Sequence, residues 1–529
     1  LGEMDADEDV SWTKIPSSVV ESQEHLALNK KMTLETMVLL KNNGILPLKK
    51  DLKVAVIGPN ANDSVMQWGN YNGFPTKTIT LLEAIKSRLP EANVTFVDGL
   101  DHTSAVAVKS LMNETMAASG KAGLDAQYWN NLVTHFQASP SELPAADVDF
   151  HYNTAVNLTT AGATVFAPGV DLGRFMGVYT TKFLPKKSET VVFSLKAMGH
   201  VMLEVNGESV FRGGNMKLNR AYAMQVEAGK EYDIRLIYRA TEGDCASLSF
   251  DFGREIPLNL NDVVNQVKSA DVVIYAGGLS PMLEGEEMPV QIPGFRGGDR
   301  ETIELPAVQT TLLSQLKKAG KKVVFVNFSG SAVAIDKESQ MADAVLQAWY
   351  PGQMGGEAIA DVLYGDYNPA GRLPVTFYKS TADLPDIEDY NMTNRTYRYF
   401  KGEALYPFGF GLSYSTFNYG AAEIKEAGEN FELTIPVTNS SSIDGDEVVQ
   451  VYISRPADVD GPSHQLRAFQ RVNIKAGETK QVAFTLTKET FNWFDPSTNN
   501  VHPLSGEYDV LYGPSSDKKS LKMVQVSVK

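Results

Sequence analysis

The apolar positions of this chain follow two rhythms. In the first, short uninterrupted runs break into turns: Val54-Ala55-Val56-Ile57 leads into Gly58-Pro59-Asn60, and the same run type returns as Val272-Val273-Ile274-Tyr275 and Val323-Val324-Phe325-Val326. Such runs predict strands buried on both faces, as in a parallel sheet. Residues 302–318 and 353–364 carry apolar side chains at helical spacing, so 258–375 reads as a βα alternation forming a mostly parallel sheet. Residues 30–48 have the same spacing up to Asn42-Asn43-Gly44 and predict a helix followed by a loop.

The second rhythm is strict alternation. Residues 120–254 hold short runs such as Val191–Leu195 and Val201–Val205, joined by Asn206-Gly207 and Gly213-Gly214, which read as hairpins. Because the α/β pattern resumes afterwards, this all-β stretch is inserted within one domain. From about 415 to 529 alternation returns, as in Glu432–Val437 and Val448–Tyr452, at the spacing of a β-sandwich. The expected fold class is therefore multidomain α/β plus all-β. By pattern its parts are an opening segment at 1–29, an α/β domain at 30–119 and 255–400, an all-β insert at 120–254, a linker at 401–414 and a β-sandwich at 415–529.

Composition narrows the partners. With 529 residues and 43% hydrophobic content the chain can build several cores, about three domains by length. Asp plus Glu (64) outnumber Lys plus Arg (48), and the net charge of -16 disfavours nucleic acid and anionic membranes. No apolar run is long enough to span a bilayer. The acidic start LGEMDADEDV lacks the features of a signal peptide, so the expectation is a chain that begins mid-protein or after processing. The single cysteine, Cys245, permits no internal disulfide and reads as a small buried residue. His200 and His464 read as structural, having no nucleophile or metal partner nearby.

Candidate chemistry concentrates after the run at 272–278. The loop there carries Glu284, Glu286 and Glu287. Taken alone, three glutamates make an ordinary solvated loop. Position changes that reading, because open α/β sheets hold ligands at the carboxyl ends of their strands. Like charges and apolar walls, here Met282, Leu283 and Phe295, can also make a proton donor. Arg300 can pair with one carboxylate and leave another to hold a proton. Trp68, Asn70 and Tyr71, in Trp68-Gly69-Asn70-Tyr71-Asn72-Gly73, suit stacking on and hydrogen bonding to a sugar, or form a plain Gly/Asn turn.

Five motifs in order carry a family resemblance: MVLLKNNGILPL at 37–48, VAVIGPNAN at 54–62, GLSPMLEGEEM at 278–288, AWYPGQMGGEAIADVLYGDYNPAGRLPVTF at 348–377 and YPFGFGLSYSTF at 406–417. Together they resemble the part of glycoside hydrolase family 3 that follows its (β/α)8 barrel. The resemblance implies a retaining, exo-acting β-glycosidase whose nucleophilic aspartate lies on a barrel absent from this chain. It implies that the acid/base glutamate comes from the acidic loop, as Glu286 or, two positions earlier, Glu284. An insertion at Met288–Phe295 separates these glutamates from Gly298-Asp299-Arg300 and lets the alignment slip. The resemblance implies that 1–29 is a linker or tail of the missing barrel and that 30–119 and 255–400 form an α/β sandwich domain. The insert resembles a protective-antigen-type β-barrel module that limits substrate length, and the last domain a fibronectin type III-like one.

The segment at 68–73 is similar to that of the β-xylosidase branch, which implies xylose over glucose, with Trp68, Asn70, Tyr71 and Arg300 binding substrate. No cofactor or metal is implied. The implied partners are an oligosaccharide or β-glycoside and the barrel, in the same or a companion chain; a homodimer stays open. A periplasmic or extracellular location is implied. The rival from another class is a non-catalytic carbohydrate-binding or scaffold chain. A nucleotide-binding protein is disfavoured, since Gly58-Pro59-Asn60 has no phosphate-cradling pattern.

Overall fold

The structure, a computed structural model, describes residues 2–73, 75–97, 100–130, 143–160, 164–214, 218–240, 245–285 and 291–529. The chain divides into two compact units: Leu1–Gly69, Ile79–Thr103 and Asn261–Lys529 form one, Asn70–Thr78 and Ser104–Leu260 the other.

The first unit is built on a six-stranded sheet. Its order is Val38–Asn42, Ala344–Gln347, Lys322–Phe328, Val272–Gly278, Val54–Ile57 and Val94–Val97. All neighbours run parallel except the edge strand Val38–Asn42, which is antiparallel to Ala344–Gln347 with an irregularity between Leu39 and Lys41. Val54–Ile57 and Val272–Gly278 are without charged or amide side chains, and Lys322–Phe328 is apolar from Val323 to Val326, because both faces of the sheet are covered. Val54, Val56, Ile274, Val324 and Val326 pack with Leu81, Ile85, Ile359 and Val362 from helices Leu81–Lys86 and Gly355–Tyr364. Helices Ala307–Lys318 and Asp336–Met341 also contact Lys322–Phe328.

Two local expectations are corrected. The segment from 30 to Asn42-Asn43-Gly44, read as a helix before a loop, is the end of a helix, Gln23–Thr36, and then the edge strand Val38–Asn42. Val38, Leu39 and Leu40 are buried against the sheet, and pairing with Ala344–Gln347 overrides the helical spacing. The helix expected from 302 starts at Ala307, because Pro306 disfavours helical backbone at Leu305.

The same unit ends in a β-sandwich. One sheet joins Phe417–Tyr419, Glu423–Ala427, Asn430–Asn439 and Thr479–Leu486; the other runs Gln465–Ile474, Gly445–Ser454, Gly506–Gly513, Lys522–Val528. Leu433, Ile435, Val449, Val451, Trp493 and Tyr508 fill the space between them. Arg372, from the chain that leaves the α/β layers, forms a buried ion pair with Glu447 of the sandwich at 2.9 Å, and Tyr419 donates to the same carboxylate at 2.8 Å. His464 is buried, and its Nε2 donates to the Ser516 carbonyl at 3.0 Å.

The second unit is all β, as the alternating pattern predicts. Its larger sheet runs Glu208–Gly213, His200–Val205, Tyr232–Arg239, Phe175–Phe183, Leu124–Asn130, Val148–Tyr152; the other runs Leu218–Val226, Glu189–Met198, Ser247–Pro257, Val106–Ser110. Both contribute to one core containing Tyr128, Tyr179, Phe193 and Phe250. The Asn206-Gly207 turn has positive φ at both residues, 53° and 80°, the geometry that favours this dipeptide in hairpins. Cys245 is buried and in no disulfide.

Candidate active site

Three loops leave the sheet at the carboxyl ends of adjacent parallel strands and meet at one side chain. The loop after Val272–Gly278 carries Glu284, the loop after Lys322–Phe328 carries Gly330 and Ser331, and the loop after Ala344–Gln347 carries Tyr350. Glu284 Oε2 accepts from the Gly330 amide at 3.0 Å and the Tyr350 hydroxyl at 2.6 Å. Its Oε1 accepts from the Ser331 hydroxyl at 3.2 Å and faces Arg300 Nε at 3.2 Å. Arg300 Nη2 donates to Ser331 Oγ at 2.8 Å and to the Ala332 carbonyl at 2.9 Å, so the serine passes the arginine's polarity on to the carboxylate. The pair is enclosed: the side chains of Arg300 and Glu284 keep 14% and 11% of their exposure. Every one of these partners is a donor, which is the environment of a carboxylate. Burial holds the Tyr350 phenol protonated well above its ordinary range, and the neighbouring Glu284 charge adds to the effect.

The exit from the central strand is fixed by buried amides. Asn60 Nδ2 donates to the carbonyls of Gly277 and Leu279 at 3.1 and 3.0 Å. Gln309 donates to the Gly278 carbonyl at 2.7 Å and accepts from its amide at 2.8 Å. Gly278 has φ of 103°, and a Cβ there would lie 2.1 Å from the Phe328 carbonyl oxygen, so only glycine fits. The acidic loop is pinched at its base, where a Cβ on Gly298 would come within 1.5 Å of the Gly285 carbonyl oxygen. Between the two glycines lie the short strands Gln291–Ile292 and Phe295–Arg296; Asp299–Arg300 completes the antiparallel meander.

The structure brings Glu284 and Arg300 into this cluster. Glu286 and Glu287 lie outside the described residues. Trp68 ends a short turn, Met66–Trp68, that is tied to the Tyr350 loop: Gly352 N–H donates to the Gln67 carbonyl at 2.8 Å, and Gly69 packs against Tyr350. Asn70 and Tyr71 are exposed and belong to the second unit, Tyr71 with positive φ. Trp349 adopts φ of 58°, donates its indole N–H to the Thr36 carbonyl at 3.0 Å and meets Phe377 edge-on.

Sequence reasoning missed Tyr350, Ser331 and Gly330 as partners of Glu284. For Gly330 and Ser331 the signal is the one used for the acidic loop, since both lie just beyond the predicted strand Val323–Val326; Tyr350 follows Ala344–Gln347, a strand the apolar runs did not predict.

Residues 37–414 match the family described as "Glycosyl hydrolase family 3 C-terminal domain", and 447–516 match "Fibronectin type III-like domain". This α/β sheet with its acidic carboxyl-end loop and trailing sandwich is thus glycosidase architecture, and the chain belongs to glycoside hydrolase family 3.

It is 43% identical over 534 residues to a xylan 1,4-beta-xylosidase of Xylanibacter ruminicola, covering 100% of this chain and 61% of that protein. A beta-glucosidase of Rhizobium radiobacter is 29% identical, with 93% of this chain and 61% of its own length covered. The crystal structure of a Kluyveromyces marxianus beta-glucosidase in complex with glucose superposes with a TM-score of 0.70 at 26% identity, covering 97% of this chain and 63% of that one. The chain therefore spans about three fifths of these relatives.

Proposed function

We propose that this chain is the acid/base-bearing part of an exo-acting, retaining β-D-xylosidase that removes β-linked xylose from non-reducing ends. The observation that carries the reading is identity of 43% with a xylan 1,4-beta-xylosidase along the whole chain. In a retaining enzyme one carboxylate attacks the anomeric carbon and a second group protonates the leaving oxygen, then activates water. We assign the second role to Glu286, with Glu284 as the alternative within the loop. The nucleophilic aspartate is assigned to a (β/α)8 barrel in the same or a companion chain. Trp68, Asn70, Tyr71 and Arg300 are proposed substrate contacts, and the periplasm or extracellular space is the proposed location.

The likeness to the glucose-bound Kluyveromyces marxianus enzyme supports a second reading, β-glucosidase activity of the same mechanism. Purified full-length protein, assayed on nitrophenyl β-xyloside and β-glucoside, separates them. A higher kcat/KM on the xyloside supports the first reading and a higher value on the glucoside the second. No turnover of either would sink both and leave a carbohydrate-binding role. The chain of 529 residues alone is expected to be inactive on either substrate.

A further inference from the structure

We propose that Glu284 is the charged positioning residue of the acidic loop, clamped by Arg300, Tyr350, Ser331 and the Gly330 amide, and is not the proton donor. This rests on the reading of the loop as the acid/base loop, and it decides between the two glutamates that the reading leaves open.

A general acid must offer an O–H to the leaving oxygen. Among the described residues both oxygens of Glu284 already face protein donors: Oε2 accepts from Gly330 N–H and Tyr350 O–H, and Oε1 accepts from Ser331 O–H and is ion-paired with Arg300 Nε. A proton on Glu284 would face one of these donors and break the set.

The clamp also has a structural reason to stay charged. Arg300 is largely buried, its other hydrogen-bond acceptors are the neutral Ser331 hydroxyl and Ala332 carbonyl, and its Nη1 is buried without an acceptor among the described residues. Among the described residues its charge is balanced by Glu284, and a buried ion pair that loses one partner leaves the other uncompensated.

The geometry suits positioning. Donors to one carboxylate come from the loops after two neighbouring strands and from the last strand of the meander. Gly330 permits the approach: a Cβ there would stand 3.1 Å from Tyr350 Cε2 and 3.5 Å from Glu284 Oε2. Close by, Gly298 against Gly285 closes the loop's base. The loop's start is thereby tied both to the sheet and to its own end.

The test uses the full-length protein with E284Q and E286Q compared on an activated aryl xyloside and an unactivated alkyl xyloside, with and without azide. Amide exchange is followed at residues 284–285 and 298–300. For E284Q the expected result is a kcat/KM loss on the order of 100-fold, similar for both substrates, as for a misplaced catalytic group. Azide should not restore it, and exchange at the loop base should rise. E286Q should lose far more on the alkyl substrate and form xylosyl azide. Azide rescue of E284Q with glycosyl azide formation would overturn the proposal. If the wild type turns over neither substrate, the glycosidase reading fails by itself; the clamp is then judged by exchange, and unchanged exchange in E284Q would refute it.

Discussion

Gly298 sits so close to Gly285 that a Cβ on the first would lie 1.5 Å from the carbonyl oxygen of the second, and the acidic loop therefore closes backbone on backbone. Gly294 has a similar φ, 88° against 93°, but its Cβ would meet only Thr302 Oγ1, at 3.5 Å. The strain of a left-handed alanine, roughly 1–3 kcal/mol, is thus common to both sites and the clash belongs to one. Gly298→Ala is expected to lower kcat/KM of the full-length enzyme on an aryl xyloside by about tenfold or more beyond Gly294→Ala. Equal effects would show that the pinch does not matter to activity.

Tyr350→Phe removes the 2.6 Å hydrogen bond to Glu284 and little else. Hydrogen bonds to charged groups contribute about 1.5–3 kcal/mol, so a kcat/KM loss of about 10- to 150-fold is expected if that energy holds the loop. Because burial and the Glu284 charge raise the phenol above its ordinary value, it stays protonated through the working range. The alkaline limb of the pH–rate profile should accordingly be the same in wild type and variant. A limb present in the wild type and absent from Tyr350→Phe would contradict this.

Arg372→Ala leaves Glu447 buried without its cation. Burial already raises the Glu447 carboxyl, with Arg372 and the Tyr419 hydroxyl acting in the opposite direction. Removing one partner of a buried pair costs about 3–5 kcal/mol. Thermal unfolding should show a clear drop in stability, whereas the double replacement Arg372→Met with Glu447→Leu should recover much of it. A single replacement with no effect on unfolding would mean that solvent reaches the pair.

His464 supplies a pH dependence. Burial, with the charge of Lys518, lowers its pKa from 6.5 to about 4, and the carbonyl facing Nε2 selects a neutral ring protonated there. The unfolded chain then binds the proton more readily than the folded one between these values. Stability is full above about pH 6.5 and is lost as the pH falls towards 4, by up to about 3 kcal/mol. Chemical denaturation at pH 7 and pH 5 should show the loss, and His464→Gln should flatten this part of it. An unchanged slope in the variant would assign the acid sensitivity elsewhere.

The central strands were legible because burial on both faces makes them apolar without interruption, as in Val54–Ile57 and Val272–Gly278. Val38–Asn42 was not, because Val-Leu-Leu continuing from a helix keeps a helical rhythm, and its partner Ala344–Gln347 is remote in sequence. At the site, the position of Glu284 on a carboxyl-end loop could be read directly. That Tyr350 and Ser331 would spend their hydroxyls on it could not, since each is brought there by a different strand; Ser331 lies in none of the five motifs, and the motif that contains Tyr350 does not mark this contact.

The register of the insert bears on how the chain folds. Val106 pairs with Pro257 and Ser110 with Gly253, so the insert's first and last strands lie side by side. Once that ladder has formed, Val54–Ile57 and Val272–Tyr275 are separated not by the whole intervening chain but by residues 58–105, a rung and residues 258–271. Loop closure costs about 0.6 kcal/mol per doubling of length, so shortening the effective loop this way lowers the entropic barrier on the order of 1 kcal/mol. A module that lengthens the polypeptide thereby shortens the search its host must make, provided the insert folds first.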